Sequence, residues 1–436
     1  MTIDGHGTSR PMTRSRTPSV RTMVLIAVVL ATFVLAVSAP FVARAQGPIK
    51  IGFGMALTGG LSANGKPALL AMQIWKDNVN KKGGLLGRQV EFVFYDDQTN
   101  PATVPGIYTK LLDVDKVDLV VSGYGTNLIA PLMPIAMERK LTVLGIFGLA
   151  NNEKYHYPNY FQISPTGPDP ATATAAPFFE IAAKQNPKPQ TVALVGADAE
   201  YPQTAMVGAR EVIKRIGFKT VYDKTYPPST ADFTPIVRAI KATNPDIVFV
   251  ASYPPDSVGM LRAAHEVGLQ PKLFGGGMVG LQFTTIMTSM GAMLNGVVNY
   301  DYWVPEQTMM FPGIQDFFKE YQPRAAKEGV DTLGYYLPPY AHAAMQVLGQ
   351  AIETTKGLDQ QKIADYIRAT EFNTIVGKIK FGKDGEWAKG RTLMVQYQKV
   401  QANDVEQFRG PGKKPVLSPE ELKSGNLIYP YSAALK

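Results

Sequence analysis

The sequence predicts an α/β protein built from two Rossmann-like lobes, each a parallel sheet with helices on both faces and the two joined by a three-strand hinge. Three observations carry the lobes. Residues 49–101 read as strand, glycine-bearing loop, amphipathic helix, glycine turn and strand, which is a βαβ unit. Beyond it, short apolar runs alternate with longer segments of helical spacing as far as residue 274. Runs such as 191–195 and 246–250 are apolar throughout, as expected of strands covered on both faces.

Ile49, Ile51 and Phe53 start the first strand, and Thr58-Gly59-Gly60 stops it. Residues 68–79 carry apolar side chains at helical spacing, Gly83-Gly84 ends that helix, and 90–95 form the next strand. Further strands are expected at 117–122, 141–144, 160–163, 191–195, 220–226, 246–250 and 272–274. Helices are expected at 127–139, 170–184, 201–216, 233–242 and 256–267. Residues 145–162 read as a polar and aromatic link between the halves, and 297–305 as a return crossing. Helices at 315–326, 339–355 and 360–370, a hairpin at 377–385 and a strand at 393–400 follow. Residues 410–436 are rich in Pro and Lys, with little helix or strand signal.

The first 45 residues read as a leader rather than as fold. Arg10, Arg14, Arg16 and Arg21 precede an uncharged run from Met23 to Val42, and Ala43-Arg44-Ala45 is a small-x-small cleavage site. A retained transmembrane anchor is the alternative, and Pro40 with the Ala-x-Ala site favours cleavage. Translation from Met12 would give a shorter leader, and no Arg-Arg pair supports twin-arginine export. The leader's five arginines and one aspartate hold half of the formal net charge of +8, and the remaining basic residues are scattered. A nucleic-acid partner, which needs clustered Lys and Arg, is therefore not expected. The chain has no cysteine, hence no disulfide and no lipid-modified cysteine, and its four histidines are too few and too scattered for a histidine-based metal site.

Five loops after predicted strands are candidate ligand contacts, because ligands of open α/β sheets sit beyond the carboxyl ends of the strands. The first strand's loop offers backbone N–H groups and the Thr58 hydroxyl. In Ser122-Gly123-Tyr124-Gly125-Thr126-Asn127, the glycines allow close backbone approach, and Thr126 is either a carboxylate holder or an ordinary helix cap. In Gly145-Ile146-Phe147-Gly148-Leu149-Ala150, Phe147 and Leu149 with Gly148 between them are either a ligand wall or plain packing. Tyr201 and Tyr253 each follow a strand and offer apolar area plus a hydroxyl, and each is alternatively surface or core. Gly275 to Gly280 fits G-x-G-x-x-G, although its mid-chain position speaks against a nucleotide loop. Asp96-Asp97 is read as structural rather than as a catalytic pair, and Tyr300 to Trp303 as either a cleft wall or a hinge brace. No G-x-S-x-G elbow, H-E-x-x-H or P-loop occurs.

The ordered set Leu57-Thr58-Gly59, Gly65, Asn80 with Gly83-Gly84 and Gly87-Arg88, Asp96-Asp97 and Pro101 resembles the periplasmic solute-binding proteins of branched-chain amino acid ABC transporters, a type I binding-protein family. The resemblance runs through nearly the whole chain after the leader. It implies a hinge of three crossings near 164–167, 298–303 and 373–377. The lobes would be 46–165 plus 301–375 and 166–300 plus 376–410, with 411–436 a tail. The loop at Gly125 and Thr126 would hold a ligand carboxylate, and the Tyr201 and Tyr253 rings would line the cleft. The position at which amino-acid-binding members carry a glutamate, paired with the ligand's ammonium, is Gly277 here; Asp198, Glu200 and Asp256 are candidate substitutes. The implied function is the periplasmic solute-binding component of an ABC importer, without cofactor and monomeric. It would bind an amino acid or an aromatic or aliphatic acid and deliver it to an inner-membrane permease. The alternatives are a ligand-sensing module for a receptor and an exported hydrolytic enzyme using Asp96 or Asp198.

Overall fold

The computed structural model describes Met1, Gly7, residues 47–401 and residues 403–435. The expected leader therefore lies almost wholly outside the described residues. From Pro48 onward the chain forms two large sheets and a two-stranded hairpin in one compact unit.

The first sheet holds β1 (Ile49–Met55), β2 (Val90–Asp96), β3 (Leu119–Tyr124), β4 (Val143–Ile146) and β5 (Tyr160–Gln162), in the order β2-β1-β3-β4-β5. All its pairs are parallel, with Ile51 opposite Phe92 and Leu119. Ile49, Ile51 and Phe53 are fully buried, as their alternation requires, and the Phe53 ring stacks on Phe94 at 5.4 Å. Helix Ser62–Lys81 covers one face with Leu70, Ile74 and Trp75. It begins six residues before the apolar periodicity does, because Ser62 to Pro67 form a first turn closely packed on the β1 loop. There Gly65 is required: a Cβ would lie 2.1 Å from the Ala56 carbonyl oxygen.

The second sheet repeats the winding. Its parallel part holds β6 (Thr191–Ala197), β7 (Lys219–Tyr226), β8 (Ile247–Ser252), β9 (Leu273–Met278) and β10 (Val298–Asp301), in the order β10-β9-β8-β6-β7. The G-x-G-x-x-G stretch is β9 itself rather than a phosphate loop. Its glycines serve sheet packing, since a Cβ on Gly276 would lie 2.3 Å from the Phe249 ring.

Three passes join the lobes. The first, residues 163–167, leads from β5 into the second lobe. The second leaves β10 and runs into helices Ile314–Glu328 and Pro338–Thr355, which pack on helix Ser62–Lys81. Arg324 pairs with Asp77 at 3.0 Å, and a Cβ on Gly349 would touch the Trp75 ring. The third pass lies later than 373–377. Residues there belong to a hairpin of β11 (Glu371–Thr374) and β12 (Gly377–Lys380), with Phe372 opposite Ile379, tied to the first lobe by the Ile375 N–H on Gln346 Oε1 at 2.9 Å. The expected hairpin at 377–385 is thus displaced toward the N-terminus. The return runs through 385–392 beside the first pass: the Gln162 N–H donates to the Gly385 carbonyl at 2.8 Å and the Arg391 N–H to the Pro165 carbonyl at 2.7 Å.

The return feeds β13 (Leu393–Gln396), antiparallel to β10, and then β14 (Val416–Ser418), antiparallel to β13. The stretch 411–436, expected as a tail, therefore contributes through Val416–Ser418 the last strand of the second sheet. Buried Tyr431 packs on Phe274, and buried Lys414 pairs with Asp301 at 2.8 Å.

Candidate functional site

In each sheet the order reverses between the first and third strands in sequence, and the carboxyl ends of both sheets face one cavity. From the first lobe it is lined by Tyr124, Gly125 and Thr126 after β3, and by Phe147, Gly148 and Leu149 after β4. The second lobe adds Thr174, Tyr201, Tyr253 and Val279; the crossings and the loop before helix Pro338–Thr355 add Ser164, Tyr300, Tyr302 and Tyr336. The cavity proper is about 20 Å³, room for about one water, within about 380 Å³ of atom-free space that includes open solvent.

Local chemistry fixes the first-lobe side. Gly125 takes φ +103°, which turns the chain from β3 into helix Thr126–Ile129, and its N–H donates to the Phe147 carbonyl at 3.1 Å. Thr126 Oγ1 accepts the Leu149 N–H at 3.0 Å, which leaves its own proton free to donate. Asn151 Nδ2 donates to the Thr126 carbonyl at 2.9 Å, and Gln162 Nε2 donates to the Gly148 carbonyl at 2.9 Å and to Ser164 Oγ at 2.8 Å. Phe147 sits at φ +60°, a strained conformation for a bulky residue, of order 1–3 kcal/mol. Its ring lies 5.5 Å from Tyr302 and 5.9 Å from both Tyr336 and Tyr340, so packing holds it there.

The opposite wall is phenolic. Tyr201 Oη donates to the Gly277 carbonyl at 3.0 Å, the Tyr300 and Tyr336 hydroxyls are 2.6 Å apart, and Tyr253 Oη reaches across the lobes to Asn127 Oδ1 at 3.3 Å. Tyr302 and Tyr336 stack at 5.3 Å, 12° from parallel. Burial pushes the phenols of Tyr124, Tyr201, Tyr300 and Tyr336 well above their ordinary range, and those of Tyr253 and Tyr302 up as well. All six are neutral hydroxyls at any physiological pH.

Of the nine residues singled out in the sequence, the structure brings seven to this cavity: Gly125, Thr126, Phe147, Gly148, Leu149, Tyr201 and Tyr253. Thr58 is not among them. It is exposed, and its hydroxyl donates to Asp96 Oδ2 at 2.6 Å, closing the β1 and β2 loops on each other. Gly277 lies behind Tyr201, whose hydroxyl would be 3.2 Å from a Cβ there. The proposed substitutes for a cleft carboxylate are elsewhere too. Asp198 and Glu200 are exposed, and Asp256 is buried against the Tyr226 hydroxyl at 3.2 Å, with burial raising its carboxyl to about 6. Asp96 is only slightly buried, and hydrogen bonds from Thr58, Gln98 and Leu57 outweigh that burial and hold it below its ordinary value. Neither carboxylate offered for catalysis reaches the cavity, and among the described residues no group of three or more His, Asp or Glu gathers to hold a metal ion. The residues missed were Tyr124, Ser164, Thr174, Val279 and Tyr336. Tyr124 stands inside the quoted glycine loop and was legible there; Tyr336, far along the chain, carried no signal.

A cleft between the carboxyl edges of two doubly wound sheets, spanned by three crossings, defines a two-lobed solute-binding protein. The chain belongs to the periplasmic binding protein family, whose model matches residues 48–403. Over 375 residues it is 22% identical to the Leu/Ile/Val-binding protein homolog 8 of Brucella abortus, covering 84% of this chain and 92% of that one. The branched-chain amino acid transporter substrate-binding protein of Streptococcus pneumoniae, solved with isoleucine, superposes with a TM-score of 0.70 at 18% identity, covering 85% of this chain and all of that one (100%). A solute-binding protein of an ABC transporter from R. palustris, solved with benzoate, gives a TM-score of 0.70 at 16% identity, covering 85% of this chain and 96% of that one.

Proposed function

We propose that this protein is the periplasmic solute-binding component of an ABC importer, exported by its leader, and that it closes on a small carboxylate-bearing solute and hands it to an inner-membrane permease. The observation that carries the reading is a cavity at the strand carboxyl ends to which both lobes contribute, with the Thr126 hydroxyl on one side and the Tyr201 and Tyr253 rings on the other. A solute bound there touches both lobes at once, so binding favours the closed form by the contacts that only that form makes. The relatives support the reading, since the named ones are binding proteins and the two solved examples hold an amino acid and an aromatic acid.

Calorimetry against a panel of amino acids and organic acids tests it. A folded protein that binds none of them would count against solute uptake. Thr126 gives a sharper expectation. Thr126→Val removes one hydrogen bond to a charged group, about 1.5–3 kcal/mol. Affinity is expected to fall roughly 10- to 100-fold, with Thr126→Ser close to wild type. Equal affinity for the Val variant would remove Thr126 from the site.

A further inference from the structure

We propose that the cleft takes an aromatic carboxylate that carries no ammonium group, and that it rejects α-amino acids. This rests on the reading of the cleft as a solute site and specifies what that site recognises.

The hydrogen-bonding groups around the cavity favour an anion over a cation. An enclosed ammonium needs acceptors, and a negative charge above all. No Asp or Glu lines the cavity, and the phenols there are neutral. The carbonyls around it are uncharged, and each of the following already accepts one bond. That of Phe147 accepts from the Gly125 N–H, that of Thr126 from Asn151 and that of Gly148 from Gln162. That of Val279 accepts from Ser257 Oγ at 2.6 Å, that of Tyr300 from Gln282 at 2.9 Å and that of Tyr302 from Tyr340 Oη at 2.9 Å.

Donors are in surplus instead. Thr174 Oγ1 is buried at the cavity wall without a partner, and the residue is 1% exposed. The Thr126 proton is free, and one proton of the Tyr300–Tyr336 hydroxyl pair is not used between them. A wall with uncommitted hydroxyl protons and no carboxylate suits an anion better than an ammonium. Tyr302 and Tyr336 lie 12° from parallel with Phe147 beside them, and this aromatic wall suits a flat ring more than a branched aliphatic chain. A quaternary ammonium held on ring faces is the strongest rival, because aromatic boxes attract such cations. The close approach of the Tyr300 and Tyr336 hydroxyls speaks against it, since the rings direct oxygens rather than faces toward each other.

The test is calorimetry of protein purified from the periplasm against benzoate, 4-hydroxybenzoate, isovalerate, L-leucine, L-phenylalanine and glycine betaine. The benzoates are expected to bind, with the two amino acids about 100-fold or more weaker, because a site that cannot pair a substrate's polar group rejects it strongly. Equal or tighter binding of leucine, phenylalanine, betaine or isovalerate overturns the proposal while leaving the solute-binding reading intact. Binding of none of the six by folded protein overturns this proposal, and the broader panel above then decides the reading beneath it. Thr174→Val is the companion variant. Its hydroxyl has no partner to lose in the protein, so folding should be unaffected, while benzoate affinity falls about tenfold. Unchanged affinity would remove Thr174 as a donor to the ligand.

Discussion

Lys414→Met is expected to lower the unfolding free energy by about 3–5 kcal/mol, although Lys414 does not line the cleft and stands in a stretch that reads as a tail. Its ammonium is 2.8 Å from Asp301 Oδ2, and the two side chains are 2% and 0% exposed. Asp301 also accepts the Tyr302 N–H at 2.8 Å, so its carboxylate is fixed at the end of β10 and cannot turn to solvent. Burial pushes the Asp301 carboxyl up, against the opposing charge and hydrogen bond of Lys414. Without the lysine, that group must either stay charged and unpaired or take up a proton, and both cost stability. The exposed Lys319–Asp316 pair, with 74% and 81% side-chain exposure, is the internal control, and Lys319→Met there should change stability by less than about 1 kcal/mol. Urea titrations at pH 7 measure both. The double variant Asp301→Asn with Lys414→Met should recover most of the loss, because it removes the charge as well as its partner. A single-variant loss no larger than that at Lys319 would show the pair to be dispensable.

That pair also marks where the sequence was and was not readable. The central parallel strands β6 and β8 were legible because each carries a nearly continuous apolar run, and runs of that kind need cover on both faces. The loops after β3 and β4 were legible because ligand contacts in such sheets cluster at strand carboxyl ends, and Gly125, Thr126 and Phe147 follow that rule. Residues 411–436 were not. β14 is three residues long, Val416–Ser418, and is a strand only because β13 offers an edge to it. Nothing local in Pro415-Val416-Leu417-Ser418-Pro419 distinguishes that from a loop. The hinge failed for a related reason. Phe372 and Ile379 pair across a hairpin that keeps 371–380 with the first lobe, and the pass at 385–392 is set by backbone bonds to 162–165 that no side-chain pattern records. The tyrosine wall was half legible. Tyr201 and Tyr253 sit where strands end, whereas Tyr336 arrives from a segment between helices and meets Tyr300 only through the tertiary fold.

Between pH 6 and 8 the protein is expected to lose about 2–3 kcal/mol of stability, and Glu386→Gln is expected to abolish most of that slope. Glu386 lies on the third pass, 5% exposed, where Thr166 Oγ1 of the first pass donates to its Oε2 at 2.9 Å and its Oε1 has no partner. Burial raises its carboxyl to about 8; the Thr166 bond opposes this, and the charges of Glu153 and Asp384 add to it. The buried phenols of Tyr160 and Tyr302 also face it, and both are neutral in this range because burial raises them. In the unfolded chain the same carboxyl ionises near its ordinary 4.5. Over the interval between those values the folded protein holds a proton that the unfolded chain has lost. Folding then takes up a proton, so rising pH opposes it, and the opposition stops growing above about 8. Asp97 and Asp256, raised by burial to about 6, act with the same sign but have released their protons through most of the upper half of the interval. His342, lowered by burial to about 4, costs stability only as pH falls below 6.5, where the unfolded imidazole gains its charge. The window from 6 to 8 therefore isolates Glu386. The amide introduced by Glu386→Gln keeps an acceptor for Thr166 and carries no charge, so the variant should match wild type near pH 5.5 and exceed it at pH 8. Denaturant midpoints at pH 5.5, 6.5, 7.5 and 8.5 provide the measurement. Parallel curves for the two proteins would mean that Glu386 is already ionised in the folded hinge, and the unpaired oxygen would then require a cation or water that satisfies it.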